Sequence, residues 1–131
     1  MSNLAPKVRH PDRTGLHVRI MLPQGAVVGP GRAELMEGIR DLGSIAAAAR
    51  AMGMSYRRAW LLADAMSNEF GAPIVAAAPG GARGGGAVLT ELGAAVLEQY
   101  RRIQAKAAEA VTEEVAALEA LVRPSRHQAE A

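Results

Sequence analysis

The sequence predicts a mostly helical α+β fold, a winged helix-turn-helix with an N-terminal strand or hairpin and a long C-terminal helix. Three observations carry that prediction. Two short helical stretches meet at Gly53, each headed by a serine, Ser44 and Ser55. A glycine-rich loop from Pro79 to Gly86 separates two short apolar stretches, Ile74-Val75 and Ala87-Val88-Leu89. A helical apolar pattern then runs from Thr90 to about Val122, farther than one side of a 131-residue chain can cover.

Residues 1–14, rich in Pro and charge, read as a flexible arm. Lys7, Arg9 and Arg13 could brush a polyanion there, but a disordered terminus is the simpler reading. From Leu16 the pattern alternates: Leu16, Val18, Ile20 and Leu22 fall on one side, His17, Arg19 and Met21 on the other, which is a half-buried strand. Pro23-Gln24-Gly25 makes a turn, and Ala26 to Val28 returns as a short partner strand. Gly29-Pro30-Gly31 ends the sheet, and Pro30 suits the first turn of a helix from about Gly31 to Leu42. Leu35, Met36, Ile39 and Leu42 give that helix its core face.

The next two helices are the centre of the fold. Ser44 can cap the first by accepting from backbone N–H groups two or three residues on, and Ala46 to Ala49 propagate it cheaply. Gly53 closes it, and Ser55 caps the next at once. With only Gly53 and Met54 between them, the helices must cross steeply, and Ala49 is small enough to allow it. The second helix places Ala59, Leu62, Ala63, Met66 and Phe70 on one apolar face. Tyr56, Arg57 and Arg58 fall in its first turn, where a DNA-reading helix meets base edges. Arginine there can bond guanine, tyrosine can stack or bond phosphate, and the free N–H groups also suit phosphate. Two solvated arginines on a surface helix are the competing reading. Against it stand the tight glycine turn and the charge pattern: Leu42 to Ala63 holds Arg50, Arg57 and Arg58 and no carboxylate. Trp60 reads as a half-buried packing residue rather than a base contact.

After Ala72-Pro73 the stretch from Ile74, the glycine loop and Ala87 to Leu89 form a hairpin, the wing. Its glycines let the tip lie close to a sugar-phosphate edge, with Arg83 available for phosphate or the minor groove. A plain mobile loop is the alternative. A nucleotide-cradling loop would need a lysine, then Ser or Thr, then a helix, none of which follows. Thr90 caps the last helix, roughly 50 Å long at about 1.5 Å per residue. Its far half carries Ile103, Ala107, Val111, Val115, Leu118 and Val122 at steps of three or four, a stripe that wants a second copy. Folding back on its own domain is the other way to cover it. The organisation expected is therefore residues 1–14 an arm, 15–89 a winged helix-turn-helix DNA-binding domain, 90–123 a dimerisation helix and 124–131 a disordered tail.

Composition narrows the function classes. Residues 1–89 carry 10 basic and 6 acidic side chains and residues 90–131 carry 5 and 7, so the positive field lies over the proposed reading helix. The absence of Cys removes disulfides and thiolate metal sites. No signal peptide or long apolar run is present, so a cytoplasmic location is expected. His10, His17 and His127 lie far apart, and Glu34 with Glu37, or Glu113 with Glu114, read as solvated helix faces. No enzyme is expected. Arg101, Arg102 and Lys106 are the only cluster that could meet an oxyanion, and a solvated face explains them more simply.

The stretch GPGRAELMEGIRDLGSIAAAARAMGMSYRRAWLLADAMSNEF, followed by PGGARGGGAVLTELGAAVLEQYR, closely resembles the N-terminal domain of the ModE-type molybdate-dependent transcriptional regulators, from about Leu16 to about Arg102. A looser similarity to the DNA-binding domain of LysR-type regulators lacks the wing and the leading strand. The ModE-type resemblance implies a dimeric bacterial or archaeal regulator at promoters of molybdate-uptake and molybdoenzyme genes. By position it carries DNA contact onto Ser55, Tyr56, Arg57 and Arg58, wing contact onto Arg83 and phosphate contact onto Ser44. The family's C-terminal molybdate-binding domains have no counterpart here. No cofactor is therefore expected, and a separate molybdate-sensing protein is a candidate partner beside double-stranded DNA and a second copy. The expected function is a dimeric regulator reading a palindromic site. The alternative is a winged-helix module that compacts DNA without sequence preference or binds protein.

Overall fold

The computed structural model describes residues 15–79 and 85–125, which fall into two units, the larger being His17–Gln104. The arm expected over residues 1–14 and the tail from residue 126 lie outside the described residues.

In the larger unit, β1 (Ile20–Met21) pairs antiparallel with β2 (Val27–Val28), Ile20 opposite Val28. The burial alternation expected from Leu16 holds as far as Met21. The paired strand is much shorter than residues 16–22, however, because its partner ends where Gly29 opens a helix. Leu22 is also exposed rather than inward. The turn is closed by Gly25, at φ 104°, donating to the Leu22 carbonyl at 2.9 Å.

Helix α1 (Pro30–Leu42) buries Ala33, Leu35, Met36 and Ile39. Leu42, expected on that face, is exposed because it is the last helical residue before Gly43 turns left-handed. Helix α2 (Ile45–Met52) and helix α3 (Tyr56–Phe70) begin at the two expected serine caps. Ser44 Oγ accepts from Ala47 N at 2.9 Å, and Ser55 Oγ from Arg58 N at 3.1 Å. Gly53, at φ 72°, donates to the Arg50 carbonyl while Met54 donates to that of Ala49, so two free carbonyls are satisfied in one tight turn. Ala49 is buried as expected. A tight approach of α1 and α2 lies at Gly38, where an added Cβ would stand 2.9 Å from that of Ala48.

The wing follows as β3 (Val75–Ala78) and β4 (Gly86–Leu89), antiparallel with Val75 opposite Leu89. The core joins Leu35, Met36, Ile39, Met66, Ile74 and Leu97. Tyr100 joins them too, an aromatic in a core otherwise built from aliphatic side chains, and it satisfies its hydroxyl by donating to Val18 O at 2.6 Å.

Thr90 caps α4 (Glu91–Ala110) as expected, accepting from Gly93 N at 3.0 Å. The single helix expected to Val122 does not form. Val111 leaves helical geometry (φ −115°, ψ 21°), and α5 (Thr112–Ala120) starts afresh. The cause is local: Thr112 Oγ1 donates back to the carbonyls of Ala108 and Glu109, and Glu113 and Glu114 favour a new helix N-terminus at that point.

Candidate nucleic-acid interface

The interface begins with the turn. The Gly53 turn and the Ser55 cap place Tyr56, Arg57 and Arg58 at the N-terminal end of α3, all exposed, while Ala59, Ala63 and Met66 hold the helix to the core. Tyr56 is 55% exposed. Ser44 sits half-buried at the head of α2 with its hydroxyl oxygen engaged by Ala47 N, leaving the hydroxyl proton to donate outward. Five of the six expected DNA-contacting residues are thus brought to the two capped helix starts. Arg83 lies outside the described residues.

Electrostatics separate the reading helix from its scaffold. Arg32 pairs with Glu69 at 2.6 Å, Arg40 with Asp41 at 2.8 Å and Arg101 with Glu37 at 2.6 Å. Among the described residues Arg50, Arg57 and Arg58 have no carboxylate partner. Their positive charge is therefore available to a polyanion. Arg101 is the reverse case: its guanidinium grips both Glu37 oxygens, which raises its pKa, and also donates to Gln104, so it is removed from the oxyanion cluster considered above.

The wing is pinned to the scaffold and to the reading helix by hydrogen bonds of its own backbone N–H groups. Ala87 N donates to Gly43 O at 2.8 Å, Ile74 N donates to Ser67 Oγ of α3 at 3.0 Å, and Thr90 N donates to Ile74 O at 2.9 Å. Between α3 and the hairpin runs an open groove of about 900 Å³, lined by Tyr56, Trp60, Ser67, Asn68, Ala76 and Ala77 among others. Trp60, expected to be half-buried packing, is 45% exposed on that groove. A second, shallower recess of about 350 Å³ lies among Ser55, Arg57, Arg58, Leu61 and Leu62. Leu61 was missed from the sequence, although it stands one turn after Arg57 on the face away from Ala59, Ala63 and Met66, a spacing that could have exposed it.

Of the expected dimer stripe, Ile103, Leu118 and Val122 are exposed and Ala107, Val111 and Val115 intermediate. Leu121, not on that stripe, is exposed too. Among the described residues no group of His, Asp and Glu could hold a metal, and no helix is long and apolar enough to cross a membrane.

No family model matches the chain. It is 49% identical over 81 residues to "Molybdenum-pterin-binding protein MopB" of Rhodobacter capsulatus, a match covering 62% of this chain and 30% of that protein. It is 36% identical over 80 residues to "Molybdenum transport protein ModE" of Azotobacter vinelandii, covering 61% of this chain and 30% of the relative. To the "DNA-binding transcriptional dual regulator ModE" of Escherichia coli K12 it is 34% identical over 98 residues, covering 72% of this chain and 37% of the relative. The chain thus spans about a third of the length of these relatives, and none of them bears the name of an enzyme. Among solved structures, the DNA-binding domain of CbnR in complex with DNA superposes with a TM-score of 0.54 at 24% identity, over 67% of this chain and 95% of that one. The winged-helix fold and the resemblance to ModE-type regulators, both read from the sequence, stand.

Proposed function

We propose that this chain, whose resemblance to the ModE-type regulators is its premise, is the DNA-reading part of a transcriptional regulator. It binds as a homodimer to a roughly palindromic promoter site, in the cytoplasm, at genes of molybdate uptake or molybdoenzymes. The observation that carries the proposal is the N-terminus of α3: Tyr56, Arg57 and Arg58 exposed beyond the Ser55 cap, with no carboxylate between Leu42 and Ala63. A helix in that position enters the major groove with its first turns, and a twofold pair reads two half-sites about one helical turn apart. Arg57 and Arg58 supply base-edge or phosphate contacts, Ser44 and Ser55 phosphate contacts, and Arg83 of the wing a contact to the neighbouring backbone or minor groove. The second copy covers exposed apolar side chains of the C-terminal segment, notably Leu118 and Val122, at 66% and 75% exposure. The DNA-reading region needs no cofactor of its own, and molybdate sensing is assigned to another domain or a separate protein. The curated relatives' names support the molybdenum connection.

The test is fluorescence anisotropy with a palindromic duplex from upstream of a molybdate-transport operon against a scrambled duplex, with and without molybdate, at two salt concentrations. Preference for the palindrome by about a thousandfold or more is the expected result. Equal, steeply salt-dependent binding to both would mean that only phosphates are read, and the architectural alternative would replace the proposal.

A further inference from the structure

The first two turns of α3 carry an apolar feature that the arginines do not explain. Leu61 is 46% exposed and lies outside the buried core cluster and the side chains packed against it, whereas its neighbour Leu62 packs on that cluster. It stands one turn after Arg57, and the two share the open recess with Ser55, Arg58 and Leu62. A single exposed leucine is ordinary on any surface. This one is the exposed part of the apolar wall, which it shares with Leu62, of a recess flanked by two guanidiniums without carboxylate partners among the described residues, on the part of the helix that a helix-turn-helix inserts into the major groove. Positive charge commits the recess to a polyanion, and its apolar wall asks for a methyl-sized group on that polyanion. Of the four bases only thymine offers one in the major groove, its C5-methyl, and apolar side chains read it by contact.

We propose that Leu61 is a specificity residue: it reads the C5-methyl of a thymine in the major groove, while Arg57 or Arg58 holds a neighbouring guanine or phosphate. This rests on the DNA-reading function proposed above. The experiment uses the full chain and a duplex selected by it from a random-sequence pool. Each thymine is replaced in turn by uracil, which deletes the methyl and keeps every base-pairing group, and affinity is read by anisotropy.

At one thymine of the recognised site, uracil is expected to lower wild-type affinity about fourfold, as one lost buried methyl-sized contact should. Leu61→Ala should bind thymine and uracil equally at that position, while Leu61→Met keeps the discrimination. Leu61→Gln serves as a second variant should the alanine chain fail to fold. If the selected duplex is preferred over scrambled DNA yet the thymine-to-uracil ratio at every position is the same in wild type and variant, the Leu61 assignment is overturned and the DNA-reading function stands. If wild type binds selected and scrambled duplexes alike, both are overturned.

Discussion

Gly93→Ala tests the contact that fixes the wing to the scaffold. Gly93 lies in the first turn of α4, where an alanine should by helix propensity alone stabilise by about 1 kcal/mol. Its backbone, however, is pressed against the residue that heads β3. An added Cβ would fall well inside contact distance of the Ile74 carbonyl oxygen, with Ile74 Cγ2 at 3.1 Å and Ile74 C at 3.2 Å. That oxygen cannot retreat freely, because it accepts from Thr90 N at 2.9 Å, while Thr90 Oγ1 donates to the preceding carbonyl of Pro73 at 2.6 Å and the Ile74 N–H is held by Ser67 Oγ at 3.0 Å. Overpacking of this kind costs about 1–3 kcal/mol, and each weakened hydrogen bond about 0.5–1.5 kcal/mol more. Taking central values, about 2 kcal/mol for the overpacking and about 1 kcal/mol for one weakened bond, and subtracting the propensity gain leaves a loss of about 2 kcal/mol, or a melting point lower by roughly 8–16 °C for a domain of this size. Thermal unfolding followed by circular dichroism reads it directly. A Gly93→Ala chain that melts at or above the wild-type temperature would refute the reasoning, and with it the claim that α4 and the hairpin meet backbone to backbone.

Three further outcomes are expected. Glu69 accepts from Arg32 and from Val27 N, and these bonds, chiefly that from Arg32, hold its carboxyl below the usual range. A depressed folded pKa contributes stability that is present above the unfolded value and lost as pH falls through the folded one, so wild type should destabilise progressively on acidification below about pH 4.5. Glu69→Gln should start lower at neutral pH and lose less, as measured by melting temperature against pH. Replacing Arg57 or Arg58 by alanine should cost about 1–3 kcal/mol of binding, with relaxed specificity at one position if the side chain reads a base. A uniform loss on all sequences and a salt slope smaller by about one would mark a phosphate contact instead. Leu118→Glu and Val122→Glu should shift the chain toward monomer in sedimentation velocity, and a dimer population unchanged in both would exclude this segment as the dimer contact.

Local chemistry made the helix-turn-helix legible. Ser44, Gly53 and Ser55 each act on backbone groups within five positions of themselves, so helix starts and the intervening turn could be read from a window of a dozen residues. Contacts joining distant segments could not be read that way. Tyr100 reaches Val18 across 82 positions, and Arg32 reaches Glu69 across 37. Neither Tyr100 nor Arg32 was singled out from the sequence, because nothing within a few positions of either marks the distant partner. The strand at Leu16 shows the same division: its alternation was correct as far as Met21, but the length of its ladder was set by where β2 ran out into Gly29.

The C-terminal stripe rested on an unbroken helix, and that continuity is the instructive miss. Its spacing of three and four was real, but period alone assumes that helical phase is carried unbroken from Ile103 to Val122. Val111 and Thr112 break that assumption, because the Thr112 hydroxyl competes for carbonyls the helix would use and Val111 leaves the helical well. Residues before and after Val111 therefore need not share one face, and Leu121, off the original stripe, is as exposed as Leu118 at 65% against 66%. A dimer contact built on the C-terminal segment must then be defined by that segment's own exposed apolar side chains, Leu118 in α5 and Leu121 and Val122 just past its end, which is why the informative substitutions are at Leu118 and Val122 and not at Ile103.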